Sequence, residues 1–110
     1  MVGILKVNGK DRPCIYLEEG VIRMMGFSDG QQVFICMLSV KTAVISQRIP
    51  TGAKLWDEAV VVGENVEVIG AACLLSRFLQ KKNEFVMTEN GVTHYRFDYY
   101  MSEDIIIPLG

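Results

Sequence analysis

Residues 13–33 read PCIYLEEGVIRMMGFSDGQQV, and this stretch decides the fold. Cys14-Ile15-Tyr16-Leu17 is β-prone and follows Pro13, which lacks an N–H and suits the first position of a strand or an edge. Glu18 to Met25 can form a short helix, with Glu18 and Glu19 in a first turn where the helix dipole favours negative charge. Val21, Ile22 and Met25 then share one face. Gly26 is placed to stop the helix as a left-handed cap, and Phe27 to pack back onto it. Ser28-Asp29-Gly30 reads as a turn into a second strand. A helix this short is marginal alone, so strands must hold it.

Working outward, Ile4 to Val7 is a strand and Asn8-Gly9 a turn pair, so the N-terminal region reads as strand, turn, strand. Val33 to Ser46 (VFICMLSVKTAVIS) is apolar and β-branched. It predicts two strands broken near Ser39 to Lys41. Ile49-Pro50-Thr51-Gly52 punctuates the chain and is the candidate boundary between a segment 1–54 and a segment 55–110. Beyond it, Ala59 to Val62 reads as a strand, Gly63-Glu64-Asn65 as a turn, and Val66 to Ile69 as a strand or a helix start. Ala71 to Lys82 predicts a longer helix, with Ala72, Leu75 and Leu79 on one face. Phe85 to Tyr99 predicts a hairpin turned at Asn90-Gly91. In it, Thr93, Tyr95, Phe97 and Tyr99 face the core, while His94, Arg96 and Asp98 face solvent. Ile105-Ile106-Ile107 predicts a last strand, stopped by Pro108. The expected fold is α+β and β-rich: a small strand-hairpin core with one short and one longer helix, the two segments separate or packed as one domain.

The totals agree with a small domain. The chain has 110 residues, 50% of them hydrophobic and 22% charged, enough for a core and without the signature of disorder. No apolar run reaches the roughly 18–20 residues a transmembrane helix needs, and the start has no signal-peptide pattern. A cytoplasmic protein is expected. Cys14, Cys36 and Cys73 are scattered, form no CxxC, and have one histidine among them, so they read as buried apolar residues rather than a zinc set.

Charge divides the chain. Residues 1–54 carry seven basic and four acidic groups, for +3; residues 55–110 carry four basic and nine acidic, for −5. A basic half can attract a phosphate backbone, and an acidic half can fit a basic protein surface. No P-loop, dinucleotide fingerprint, nucleophile motif or metal-spaced carboxylate set is visible. His94 is the only histidine, so any histidine-dependent acid–base scheme must use it. No cofactor is expected, and no catalytic residue is assigned.

Residues 4–47 resemble the swapped-hairpin family of AbrB-like and MazE-like (SpoVT-AbrB) DNA-binding domains, closest to its SymE-like toxin branch. The carrying residues are Ile4 to Val7, Asn8 to Arg12, Pro13, Leu17, Val21-Ile22, Met25-Gly26-Phe27, Gly30 and Val33. The chain departs from the pattern in three places. Glu19 stands where the family has glycine, with Gly20 one place later; Val21 stands at the usual tryptophan; Met25 stands at a small residue. Residues 55–110 carry no resemblance.

The resemblance implies an interleaved homodimer, a swapped-hairpin barrel in which two chains exchange hairpins. It also implies nucleic-acid contacts, to DNA before RNA, at Lys6, Lys10 and Arg12, with Arg23 on the short helix as a further candidate. Such a protein is a transcription regulator or toxin–antitoxin component of bacterial or phage origin. The second reading is a small phage-encoded protein-interaction module that inhibits a host defence complex, as anti-CRISPR proteins do. Its surface is the acidic set Asp57, Glu58, Glu64, Glu67, Glu103 and Asp104. A third is a metal-dependent RNA-cleaving toxin, suggested only by the family.

Overall fold

The computed structural model describes residues 2–7, 14–69, 85–89 and 92–109, with side-chain environments for 14–69, 94, 96 and 98–109. Among the described residues there are ten strands and one short helix. In chain order they are β1 (Val2–Val7), β2 (Cys14–Tyr16), α1 (Val21–Met24), β3 (Gln32–Ser39), β4 (Thr42–Ser46), β5 (Lys54–Val62), β6 (Asn65–Val68), β7 (Phe85–Glu89), β8 (Val92–Phe97), β9 (Tyr100–Met101) and β10 (Ile105–Pro108). They form one curled antiparallel sheet, a half-barrel, in the order β7-β8-β1-β2-β6-β5-β3-β4-β10-β9. The β-rich expectation holds. The predicted longer helix at Ala71–Lys82 and the Asn90-Gly91 turn lie outside the described residues. Strands from residues 1–54 and 55–110 alternate across the sheet: β1 pairs with β8, β2 with β6, β3 with β5, and β4 with β10.

Alternation along each strand separates two faces. The inner face holds the core: Ile15, Val33, Ile35, Ile45, Val61, Val66, Ile105 and Ile107 are all fully buried. Register explains this, since Ile15 opposes Val66, Val66 opposes Val61, Ile35 opposes Ile45, and Ile45 opposes Ile105. β4 lies between β3 and β10, and Ala43, Val44, Ile45 and Ser46 are buried in succession, as expected of a strand covered on both faces.

α1 closes over the inner face, with Val21, Ile22 and Phe27 in the core. Its end follows the sequence. Gly26 sits at φ 74°; its N–H donates to the Arg23 carbonyl and the Phe27 N–H to the Ile22 carbonyl, each at 3.0 Å. That is the Schellman pairing, with Phe27 and Ile22 as its accompanying apolar contact. Its start corrects the sequence reading. Gly20 adopts φ 85° and the helix begins after it, so no acidic residue lies in the first turn. Glycine enters the left-handed region without steric cost, and here that moves the start two residues past the glutamates.

Two further corrections concern β5 and β9. β5 begins at Lys54, five residues before the expected Ala59, because β3 offers a long edge to pair with. Register skips from Ile35–Asp57 to Cys36–Leu55, leaving Trp56 as the extra residue of a bulge; it packs against the core. Tyr100-Met101 carries no strand signal of its own, yet forms β9 by pairing with β10.

Candidate functional site

The turns at one end of the sheet are tied by side chains. Asp29 Oδ1 accepts the Gly63 N–H at 2.8 Å, Glu64 Oε1 accepts the Gly20 N–H at 3.3 Å, and the Gly30 N–H donates to the Val61 carbonyl at 2.7 Å. Gln31 Oε1 accepts the Ser28 N–H at 2.9 Å. These bonds fasten the entry to α1 and the turn before β3 onto the β5–β6 turn. Just before Gly20, the Tyr99 hydroxyl accepts the Glu18 N–H at 3.2 Å, and Tyr99 packs against the core, as its position on the aromatic face predicts.

The expected nucleic-acid residues fall unevenly. Lys6 lies on β1 at the register position opposite Thr93 of β8. Lys10 and Arg12 lie outside the described residues. Arg23 is exposed in the last turn of α1. Other exposed bases are Lys41, Arg48, Lys54 and Arg96, and exposed acids are Glu18, Glu19, Asp29, Glu58, Glu64, Glu67, Asp98 and Glu103.

The acidic set is divided by the fold. Asp57 opposes Ile35 and is only 2% exposed, so it belongs to the inner face and not to any acidic surface. Period-two alternation is the reason: Asp57 shares the inward phase of Ala59 and Val61 along β5. Glu58 and Glu67 are exposed on the outer face, one opposite Phe34 and the other opposite Val60. Ile69 donates its N–H to the Glu58 carbonyl, so the two carboxylates are diagonal neighbours across β5 and β6. Glu64 is engaged at the turn. Glu103 is exposed and Asp104 half-buried in the β9–β10 connection. Asp104 lies close enough to Cys36 to help raise its thiol pKa, after burial itself.

Sequence reasoning missed the apolar company of Glu58 and Glu67. Tyr16 and Val62 both oppose Asn65, while Cys14 and Val60 both oppose Glu67. These residues come from three separate strands, and only the register brings them together. Cys14 is half-buried beside Glu67 and Tyr16. Burial and the Glu67 carboxylate push its thiol pKa from 9.0 up to about 11, against a partly offsetting hydrogen bond with Tyr16. A thiol held protonated in this way is a poor nucleophile at neutral pH. Cys36 is buried as expected, Cys14 is only half-buried, and Cys73 lies outside the described residues.

His94 is half-buried, with Arg96 and Asp98 exposed beyond it. Among the described residues no group of three or more metal-ligating side chains converges. No helix among them is long and apolar enough to cross a membrane.

No protein-family model, curated protein or solved structure matches this chain.

Proposed function

We propose that this chain is a nucleic-acid-binding protein, a homodimeric regulator or toxin–antitoxin component of bacterial or phage origin that binds DNA in preference to RNA. The observation that carries this reading is the β2–α1–β3 unit. Strand, four-residue helix, Schellman cap at Gly26, turn at Gly30 and strand follow one another in the order on which the family resemblance rests.

In this reading Lys6, Lys10 and Arg12 pair with backbone phosphates, Arg23 adds a further contact, and an arginine reads a guanine edge. Asp11 weakens the local field. Because exposed carboxylates outnumber exposed bases among the described residues, attraction has to come from a local basic site rather than from net charge. The test is a Lys10→Gln/Arg12→Gln double variant. Affinity for a labelled duplex should fall, and the slope of log K against log salt should shrink by about one for each phosphate pairing that the substitutions remove. Binding unchanged in the variant overturns the site. Sedimentation velocity checks the dimer, and a monomer at the concentrations where nucleic acid binds removes it.

A further inference from the structure

The outer face of the sheet around β5 and β6 is an apolar surface with carboxylates set into it. Three rows cross it. Tyr16, Asn65 and Val62 form one; Cys14, Glu67 and Val60 the next; Ile69, Glu58 and Phe34 the third. Tyr16 is 40% exposed, Val62 42% and Ile69 57%. Val60 and Val62 adjoin along β5 and Cys14 and Tyr16 along β2, with Asn65 and Glu67 of β6 between the two pairs and Ile69 beyond Glu67; a single exposed apolar side chain needs no explanation, whereas several on one face do. Rows two residues apart along a strand lie about 7 Å from one another, and strands about 4.8 Å. The patch is therefore about 14 Å on a side, wide enough to seat one α-helix, about 10–12 Å across with its side chains.

Its charge selects the occupant. Glu58 and Glu67 stand inside the patch. Among the described residues that register places on this face, the only base is Arg96. It lies on β8, three strands from β6 and so about 14 Å away. Phosphate-bearing partners, nucleic acid and anionic lipid alike, are repelled here. We propose that this face binds a partner protein through one amphipathic helix whose apolar stripe is flanked by lysines or arginines. The stripe seats on Tyr16, Val60, Val62 and Ile69, and the flanking cations pair with Glu58 and Glu67. This site is independent of the nucleic-acid reading, which uses residues elsewhere in the chain.

The probe is a fluorescein-labelled helical peptide with a leucine stripe flanked by lysines, compared with the same peptide carrying glutamates. Anisotropy titration of the whole protein should show binding of the lysine peptide and at least roughly tenfold weaker binding of the glutamate peptide. Glu58→Gln/Glu67→Gln should weaken the lysine peptide roughly tenfold. Val62→Ser/Ile69→Ser should weaken it while leaving the thermal melt unchanged, since both positions are exposed. Backbone hydrogen exchange should slow in β5 and β6 on binding. Equal binding of the two peptides, unchanged affinity in the glutamine variant, or protection confined to other strands overturns the proposal. So does a wild-type dimer that Val62→Asp dissociates, because the face would then belong to a second copy of the chain.

Discussion

At the scale of single residues, Gly26 and Cys14 show most clearly what local chemistry dictates. A Cβ at Gly26 would have Gln47 Nε2 at 3.9 Å as its nearest neighbour, so space is no obstacle. The obstacle is its φ of 74°. Gly26→Ala should therefore cost about 1–2 kcal/mol in urea denaturation, and Gly26→Asn less, because asparagine tolerates the left-handed region. Cys14 makes a pH prediction. Its thiol pKa is raised in the folded state, so the folded protein holds that proton where the unfolded chain has released it. Its contribution to stability is intact below pH 9 and falls away as pH rises from 9 towards 11. Cys14→Ser should flatten that part of the stability profile. Glu67→Gln removes the neighbouring negative charge and should speed iodoacetamide labelling of Cys14 at pH 9, which peptide mapping can follow.

At the scale of elements, α1 is too short to stand by its own hydrogen bonds and depends on what it buries. Ile22→Ala should destabilise the protein by about 2–4 kcal/mol. Met24, 71% exposed on the same helix, should tolerate Met24→Gln within about 0.5 kcal/mol. A similar loss of stability at both positions in chemical denaturation would contradict the packing described. The elements legible in the sequence are those with local punctuation. Gly26 and Gly30 frame α1 and the turn, Ser39 to Lys41 break β3 from β4, Gly63-Glu64 divides β5 from β6, and Pro108 ends β10. What was not legible depends on distant partners. Lys54 to Glu58 carries little strand signal, yet forms half of β5 because β3 runs beside it. The bulge at Trp56 cannot be read locally either; past it, the alternation of β5 sends Asp57 inward with Ala59 and Val61 and Glu58 outward. For that reason the acidic residues that the sequence suggests as one surface are divided between the two faces.

At the scale of the whole molecule, the sheet interleaves the two halves of the chain, so stability should be cooperative across them. β10 covers the edge of β4, with Ile105 and Ile107 buried against Ile45 and Ala43. Deleting residues 105–110 would uncover that edge and its apolar row, an invitation to edge-to-edge association. The truncated protein should lose its sharp thermal transition and aggregate in light scattering; a monomer with an unchanged melt would contradict the topology. The candidate sites also belong to this scale. Carboxylates spread over the described surface oppose the approach of a polyanion, while the N-terminal half carries net positive charge. Nucleic-acid binding must then rest on a small set of phosphate contacts and respond to ionic strength. The most direct measurement is fluorescence anisotropy of a labelled duplex DNA pool, and of structured RNA, titrated with the intact protein at about 50 mM and 200 mM salt. The account predicts submicromolar binding to DNA at the lower salt that weakens steeply at the higher. Absence of binding at the lower salt, or binding indifferent to salt, would contradict it.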